Sequence, residues 1–301
     1  MDLYFAGSEA FTNLVFDYPI NLLMSYFYVK DKFNKVNFDK DMFSRKIFID
    51  SGAFTAWTKG KSINVDEYIE WINNNNDYIY LYGQIDSIPG DIVKGATKEQ
   101  VEEAAQKTWE NYLYMRPKMK NPDGLLYTFH VGEPYEYLKQ ALEWKDSDGK
   151  LIPYIALGGM VGKPRQVKEQ FLDNCFEIIK NSSNPNVKVH AFGMTSFDLL
   201  EQYPITSADS TSWIMTGANG GIKTDMGVIN VSVNKKKLPE HYSHLDSIHQ
   251  DNFNNTIKKY GFTLDELSDS YENRLRYHIQ YMQDKASNLT YKPKLKAFKL
   301  F

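Results

Sequence analysis

An α/β fold, specifically a (β/α)8 barrel of the TIM type, is predicted by three observations on this 301-residue chain. Short apolar runs rich in strand-forming residues recur eight times, stretches with helical spacing separate them, and the runs are continuous rather than alternating. Strand–helix alternation is the pattern of parallel sheets wrapped by helices, and continuous apolar strands are those buried on both faces. Eight such strands close naturally into a barrel, a fold that accommodates a chain of this length around one core.

The eight runs are "LYFAG" (3–7), "NLLMSYFYV" (21–29), "KIFID" (46–50), "YIYLYGQID" (78–86), "LLYTFHVG" (125–132), "IPYIALGG" (152–159), "KVHAFGM" (188–194) and "ITSAD" (205–209). Helices are predicted at 65–72, 99–115 and 134–144, and after Pro164, where Val167, Phe171, Cys175 and Ile178 or Ile179 share a face. Cys175 is thereby expected in the core. A short helix opens at Ser196, a favourable N-cap residue. The barrel core is assigned to 1–215. Residues 216–245, rich in Gly, Asn and Lys, read as an elaborated loop or small insertion after the eighth strand, with one further strand at 228–233. C-terminal helices at about 246–260 and 263–285 are expected to close the barrel. The second opens with a capping box of Thr263 and Glu266, and its apolar face carries Leu267, Tyr271, Leu275, His278 and Met282, with His278 as a core residue. Residues 286–301 form a basic tail.

Composition narrows the function classes. With 42% hydrophobic residues, 21 Tyr and 18 Phe, the chain can bury a sizeable core. The single cysteine excludes an internal disulfide framework and any multi-cysteine zinc site. The first residues lack a basic region leading into a long apolar stretch, and "INLLMSYFYV" (20–29) is too short to span a bilayer, so a soluble, cytoplasmic protein without membrane association is expected. The net charge of −3 does not advertise a polyanion partner, yet residues 285–301 carry five Lys and no acid. Such a tail is either a solvated terminus or a contact for phosphates and bases. On the second reading Lys292, Lys294 and Lys296, with Lys235, Lys236 and Lys237 of the post-barrel loop, are candidate nucleic-acid contacts.

Barrel active sites form at the C-terminal ends of the strands. Asp50, Asp86 and Asp209 each end an apolar run and are followed by "SGAF", "SIPGD" and "STSW", so three acids from distant segments are expected at one mouth. An acid at a strand end also serves as a helix cap, and any one of the three alone is open to that reading. "ALGGM" (156–160) and "HVGEP" (130–134) add glycine-bearing strand ends. Gly158 and Gly159 either let a flat ligand approach backbone N–H donors or simply make a tight turn. His130 either reads a ligand edge or satisfies a buried neighbour.

The ordered segments "DSGAF" (50–54), "GQID" (83–86), "FHVGEP" (129–134), "YIALGGMVGK" (154–163) and "HAFGMTSFDLLEQYPITSADS" (190–210) resemble the tRNA-guanine transglycosylase superfamily across roughly residues 46–221. The resemblance implies that Asp209 is the catalytic nucleophile and Asp50 the second catalytic aspartate. It implies that Asp86 recognises the purine and that the backbone of Gly158 and Gly159 approaches the base carbonyl. His130, Ser51, Phe54 and Gln84 complete the implied substrate-binding set. The implied reaction is base exchange through a covalent aspartyl–sugar intermediate, with no cofactor.

Departures from the family pattern bear on the substrate. The family's tRNA enzymes carry a C-terminal zinc site of three cysteines and a histidine, which one cysteine cannot supply; His241, His244 and His249 lack thiolate partners, and no metal is expected. Ala53 and Thr55 replace a glycine and a glutamine, His130 replaces a base-reading glutamine, and "SWIMTGANGG" (212–221) lacks the arginine usual after the nucleophile. The chain is most similar in character to divergent phage and bacterial members that exchange guanine in DNA for a 7-deazaguanine base. The expected partners are therefore DNA, with tRNA as the alternative, and a 7-deazaguanine. A barrel glycosidase using two carboxylates, and a non-catalytic nucleic-acid-binding paralogue, are the competing classes.

Overall fold

The computed structural model describes residues 1–33, 45–91 and 93–293. Eight strands, β1 (Asp2–Ala6), β2 (Asn21–Ser25), β3 (Ile47–Asp50), β4 (Leu81–Gly83), β5 (Leu125–His130), β6 (Tyr154–Gly158), β7 (Lys188–Ala191) and β8 (Ser207–Ser210), pair in chain order into a closed, all-parallel barrel. Closure joins β8 to β1, with Tyr4 opposite Asp209. Each strand lies within or beside one of the eight apolar runs, so the (β/α)8 fold is the one the sequence predicts.

Side chains two residues apart in a strand point to the same face, which divides the core in two. One set fills the barrel: Tyr4, Ala6, Leu23, Phe48, Leu81, Leu126, Tyr154 and Ala156, with Phe192 packed against it. The neighbouring positions, among them Leu3, Phe5, Leu22, Ile47, Ile49, Leu125, Tyr127 and Ile155, join the larger shell beneath the helices. Both faces are apolar, which is why the runs look continuous. The alternation also fixes what reaches the C-terminal mouth. Asp50 stands two residues beyond Phe48, Ser25 two beyond Leu23, Gly158 two beyond Ala156, and Asp209 two beyond Ser207.

Helices α1 (Thr12–Val15), α2 (Tyr26–Val29), α3 (Ala53–Thr58), α4 (Val65–Asn74), α5 (Lys98–Met115), α6 (Tyr135–Glu143), α7 (Arg165–Lys180) and α8 (Phe197–Leu200) connect the strands. Cys175 of α7 is fully buried, as its spacing requires. Past β8, α9 (Ser212–Ala218) carries regular structure beyond residue 215, and the 216–245 segment holds an antiparallel hairpin of β9 (Gly221–Thr224) and β10 (Gly227–Asn230) rather than a single strand. Three helices follow: α10 (Ser247–Lys259), α11 (Leu264–Asp269) and α12 (Tyr271–Ser287).

The expected continuous helix over 263–285 is interrupted at Ser270. Its hydroxyl accepts the Asn273 N–H at 3.1 Å and caps α12, while buried Arg274 donates to the carbonyls of Leu267 and Ser268 at the end of α11 and to that of Gly217 in α9. One guanidinium thus satisfies carbonyls of two helices. The capping box of Thr263 and Glu266 is present. No helix among the described residues is long and apolar enough to cross a membrane.

His278 of α12 ties the C-terminal helices to the barrel. Its Nδ1 lies 2.9 Å from the Trp213 carbonyl and its Nε2 accepts the Lys223 N–H at 3.2 Å, while the Trp213 indole donates to the Ala6 carbonyl of β1. Burial pushes the imidazole down to about 3, so it stays neutral and bridges α9 to β9. A depressed histidine contributes stability that is present above its unfolded value, about 6.5, and lost as pH falls towards about 3. His278→Leu should orphan a buried carbonyl and a backbone N–H and cost about 2–3 kcal/mol in urea unfolding at pH 7.5. The cost should shrink below pH 6, where the parent alone must discharge this imidazole; an equal cost at pH 7.5 and 5 would contradict this account.

Candidate active site

The mouth is built from strand ends. Asp50, Asp209, Gly159 and Phe54, with Ser25, Gly193 and Lys223, line a single cavity of about 780 Å³. Asp50 ends β3, next to Ser25 of β2 in the sheet register. Its Oδ2 accepts the Gly52 N–H at 3.1 Å. Burial, and then the neighbouring charges of Asp86 and Asp209, push its carboxyl up to about 7. Asp50 on β3, Asp209 on β8 and Asp86, three residues beyond β4, are thus close enough to act on one another electrostatically, and Asp50 holds its proton towards neutrality.

Asp209 is buried in β8 and anchored through one oxygen. Oδ1 accepts the Gly193 N–H at 2.9 Å and lies 3.2 Å from Nε2 of His190. No donor among the described residues reaches Oδ2. Gly193 follows β7 with φ +65°, and a Cβ there would collide with the Val161 side chain, so glycine both permits the turn and aims its N–H at the carboxylate. His190 is fully buried between the rings of Phe48, Phe192 and Tyr4, and its Nδ1 contacts Ser207 Oγ at 2.6 Å, which in turn meets Tyr154 OH at 2.7 Å. A chain of polar groups from β6 through β8 thus orients the carboxylate.

Sequence reading did not single out His190. Its signal was a polar residue at an inward position of an otherwise apolar strand.

Asp86, Gln84, His130, Gly158 and Ser51 lie beside this cavity rather than in its lining. Gln84 donates to Asp86 Oδ1 at 3.3 Å. His130 Nε2 is 3.6 Å from Asp86 Oδ2, and its Nδ1 is 2.9 Å from Glu133 Oε1. Burial disfavours the charged ring, but the Asp86 and Glu133 carboxylates outweigh it and hold the imidazolium well above the usual histidine range. Glu133, which also accepts the His130 N–H at 2.9 Å, was not anticipated from sequence. Gly158 leaves room for His130: an added Cβ would lie 2.7 Å from the ring's Cδ2. At Gly159, φ +75° and the Val131 N–H at 3.0 Å from a built Cβ impose the same choice. The space at Gly158 is thus filled by this chain's own imidazole, and only Gly159 of the pair faces the cavity. Ser51 is buried beneath the turn and accepts the Ala53 N–H at 3.4 Å.

Phe54 is 62% exposed at the cavity wall, available for stacking on a flat ligand. Two buried polar atoms on the same cavity, Ser25 Oγ and Glu9 Oε2, have no hydrogen-bond partner among the described residues, an arrangement that favours a polar occupant.

The proposed nucleic-acid lysines are dispersed. Lys235, Lys236 and Lys237 are exposed beyond the hairpin. Lys292 is tied to Glu201, by its ammonium at 3.0 Å and by its backbone N–H to the carbonyl, so it is neutralised within the fold rather than left free. Lys294 and Lys296 lie outside the described residues. His241 and His244 meet edge to face at 6.2 Å, but their ring nitrogens engage Ser243 and the Lys236 carbonyl, and His249 pairs with Asp246. Among the described residues no group of three His, Cys, Asp or Glu is arranged to hold a metal ion. No protein-family model and no curated protein matches this chain.

Stability at the mouth should depend on pH through Asp50. A carboxyl raised to about 7 contributes stability that is fully present below its unfolded value, about 4, and lost as pH rises through about 7. Asp50→Asn should therefore raise the melting temperature relative to the parent at pH 8, with the gain shrinking towards pH 4. An equal shift at both pH values would show that Asp50 is not a desolvated carboxyl.

Proposed function

We propose that the protein is a transglycosylase that exchanges guanine in a polynucleotide, DNA in preference to tRNA, for a 7-deazaguanine base through a covalent aspartyl–sugar intermediate. The observation that carries this reading is one cavity in which two strand-borne carboxyls, among the three carboxyl residues that line it (Glu9 is the third), are held differently. Asp209 is anchored through Oδ1 with Oδ2 unengaged, and Asp50 is proton-bearing near neutrality.

In the first half-reaction Asp209 Oδ2 attacks C1′ of the target nucleoside, and the C1′–N9 bond breaks with its electron pair leaving on the base. Asp50 donates its proton to that base, so guanine departs neutral. In the second half-reaction the Asp50 carboxylate takes a proton from the incoming 7-deazaguanine, whose ring nitrogen attacks C1′ and releases Asp209. Protons balance over the cycle. Two carboxylates whose surroundings give them different tasks are the recurring means of dividing nucleophile from acid.

Around the base, Asp86 accepts from the N1–H and exocyclic amine of a guanine-like edge. The His130 imidazolium, its ring nitrogens turned to Glu133 and Asp86, sets a positive charge beside the Asp86 carboxylate where the family pattern has glutamine. Exposed Phe54 supplies a face for stacking. DNA is favoured because a chain with one cysteine cannot build the zinc site of the tRNA enzymes. On duplex DNA the guanine must leave the stack to reach Asp209.

The test is nucleoside mass spectrometry of DNA and tRNA from cells that express the protein together with 7-deazaguanine biosynthesis. Modified deoxynucleosides are expected; modified tRNA alone would move the substrate to RNA, and neither product would overturn the reading. In vitro, Asp209→Asn should lower guanine exchange to below about a thousandth of the parent rate while the polynucleotide still binds. The parent kcat/KM should fall as pH rises through about 7, because Asp50 loses the proton it must donate. Residual Asp50→Asn activity should lack that inflection, and an unchanged profile would remove Asp50 from proton transfer.

A further inference from the structure

Lys223 stands in β9, where the hairpin meets the mouth. Its ammonium donates to Ser212 Oγ at 2.8 Å, and Ser212 Oγ lies 3.0 Å from Thr195 Oγ1. The side chain is half-buried, and burial lowers its pKa. The acids of the adjoining groove each have a cation, Asp198 pairing with Arg165, Glu201 with Lys292 and Asp225 with Lys285, and Glu9, Asp50 and Asp209, which line the mouth with Lys223, make no ion pair with it. Lys223 has no ion pair among the described residues. A partly desolvated ammonium held only by a hydroxyl is unfavourable unless an anion completes its shell.

Position identifies the anion. Lys223, Thr195 and Ser196 line both the Asp209 cavity and an adjoining groove of about 720 Å³ that runs between the hairpin and α12. Ser212 is three residues beyond Asp209 on the same strand–helix connection. A group seated here is adjacent to the sugar attacked by Asp209 and open to the chain continuing along the groove.

We infer that Lys223, with the hydroxyls of Ser212 and Thr195, binds a phosphodiester of the strand whose nucleoside is positioned at Asp209. The inference rests on the proposed base exchange on a polynucleotide and adds the residue that fixes the register of the strand. An ammonium is a compact point charge suited to a phosphate, and the bonded pair of hydroxyls, which spends one hydrogen on its own bond, keeps one further donor. The substitution that tests it should leave the fold intact. The backbone of Lys223 is held independently of its side chain, by its N–H on His278 and its carbonyl on the Tyr277 hydroxyl.

The parent, Lys223→Gln and Lys223→Arg are titrated with a guanine-containing single-stranded DNA and with tRNA over a salt series, melting temperatures confirming the fold. Lys223→Gln should bind the DNA about tenfold more weakly and show a salt slope shallower by about 0.7, the loss of one phosphate contact, while Lys223→Arg keeps the parent slope. If the parent binds DNA and Lys223→Gln matches it in affinity and slope, the inference is overturned and the proposed function stands. A parent that binds neither DNA nor tRNA overturns both. A Lys223-dependent thermal shift with inorganic phosphate, unaccompanied by any effect on the strand, would assign the site to a free anion and overturn the inference.

Discussion

The arrangement depends on the burial of carboxyls that the barrel forces together, to which their mutual repulsion adds. In a closed parallel barrel, inward positions recur every second residue, so the last inward residue of each strand faces the same mouth. Here those residues include Asp50 and Asp209, with Asp86 just beyond β4. Three acids of like charge in a partly desolvated space cannot all ionise without compensation. The compensation is unequal: Asp86 has the His130 imidazolium, Asp209 has the Gly193 N–H and His190, and among the described residues Asp50 has the Gly52 N–H alone. Asp50 accordingly retains its proton towards neutrality.

That inequality connects the fold to chemistry. Anchoring Asp209 through Oδ1 leaves one oxygen unengaged, and the buried chain from Tyr154 through Ser207 to His190 limits how far the carboxylate can turn. The proton on Asp50 makes the mouth asymmetric, with an acceptor on β8 and a donor on β3. His278 and Arg274 then hold α9, β9 and α12 against the barrel, which sets where Lys223 stands relative to Asp209. Stability and function meet in these few contacts. The protonated Asp50 is tolerated at low pH and becomes a liability as pH rises.

Much of this was legible in the sequence because it follows from periodicity. All eight strands, the position of Asp50 and Asp209 at the ends of β3 and β8, the capping box at Thr263 and the core placement of Cys175 and His278 could be read from apolar spacing and local signals, while Asp86, read as a strand end, lies three residues past β4. What escaped was set by contacts between distant segments. The hairpin strand at 221–224 is short and polar, and it is defined by pairing with 227–230. The break at Ser270 depends on Arg274 reaching carbonyls of two other turns. His190 and Glu133 acquire meaning only once β7 lies beside β8 and the 130–133 turn folds back on His130. Gly158, read as an approach for a ligand, is occupied by that same imidazole.

The claim on which the account turns is that Asp50 and Asp209 share one desolvated mouth in which Asp50 keeps its proton. Its most direct test is a carbon-13 NMR titration of the Asp50 carboxyl in the parent and in Asp209→Asn. The account predicts an apparent value of about 7 in the parent and a lower one in the variant, because a neighbouring negative charge has been removed. A parent value near about 4, the ordinary carboxylate range, or a raised value indifferent to Asp209, would contradict it.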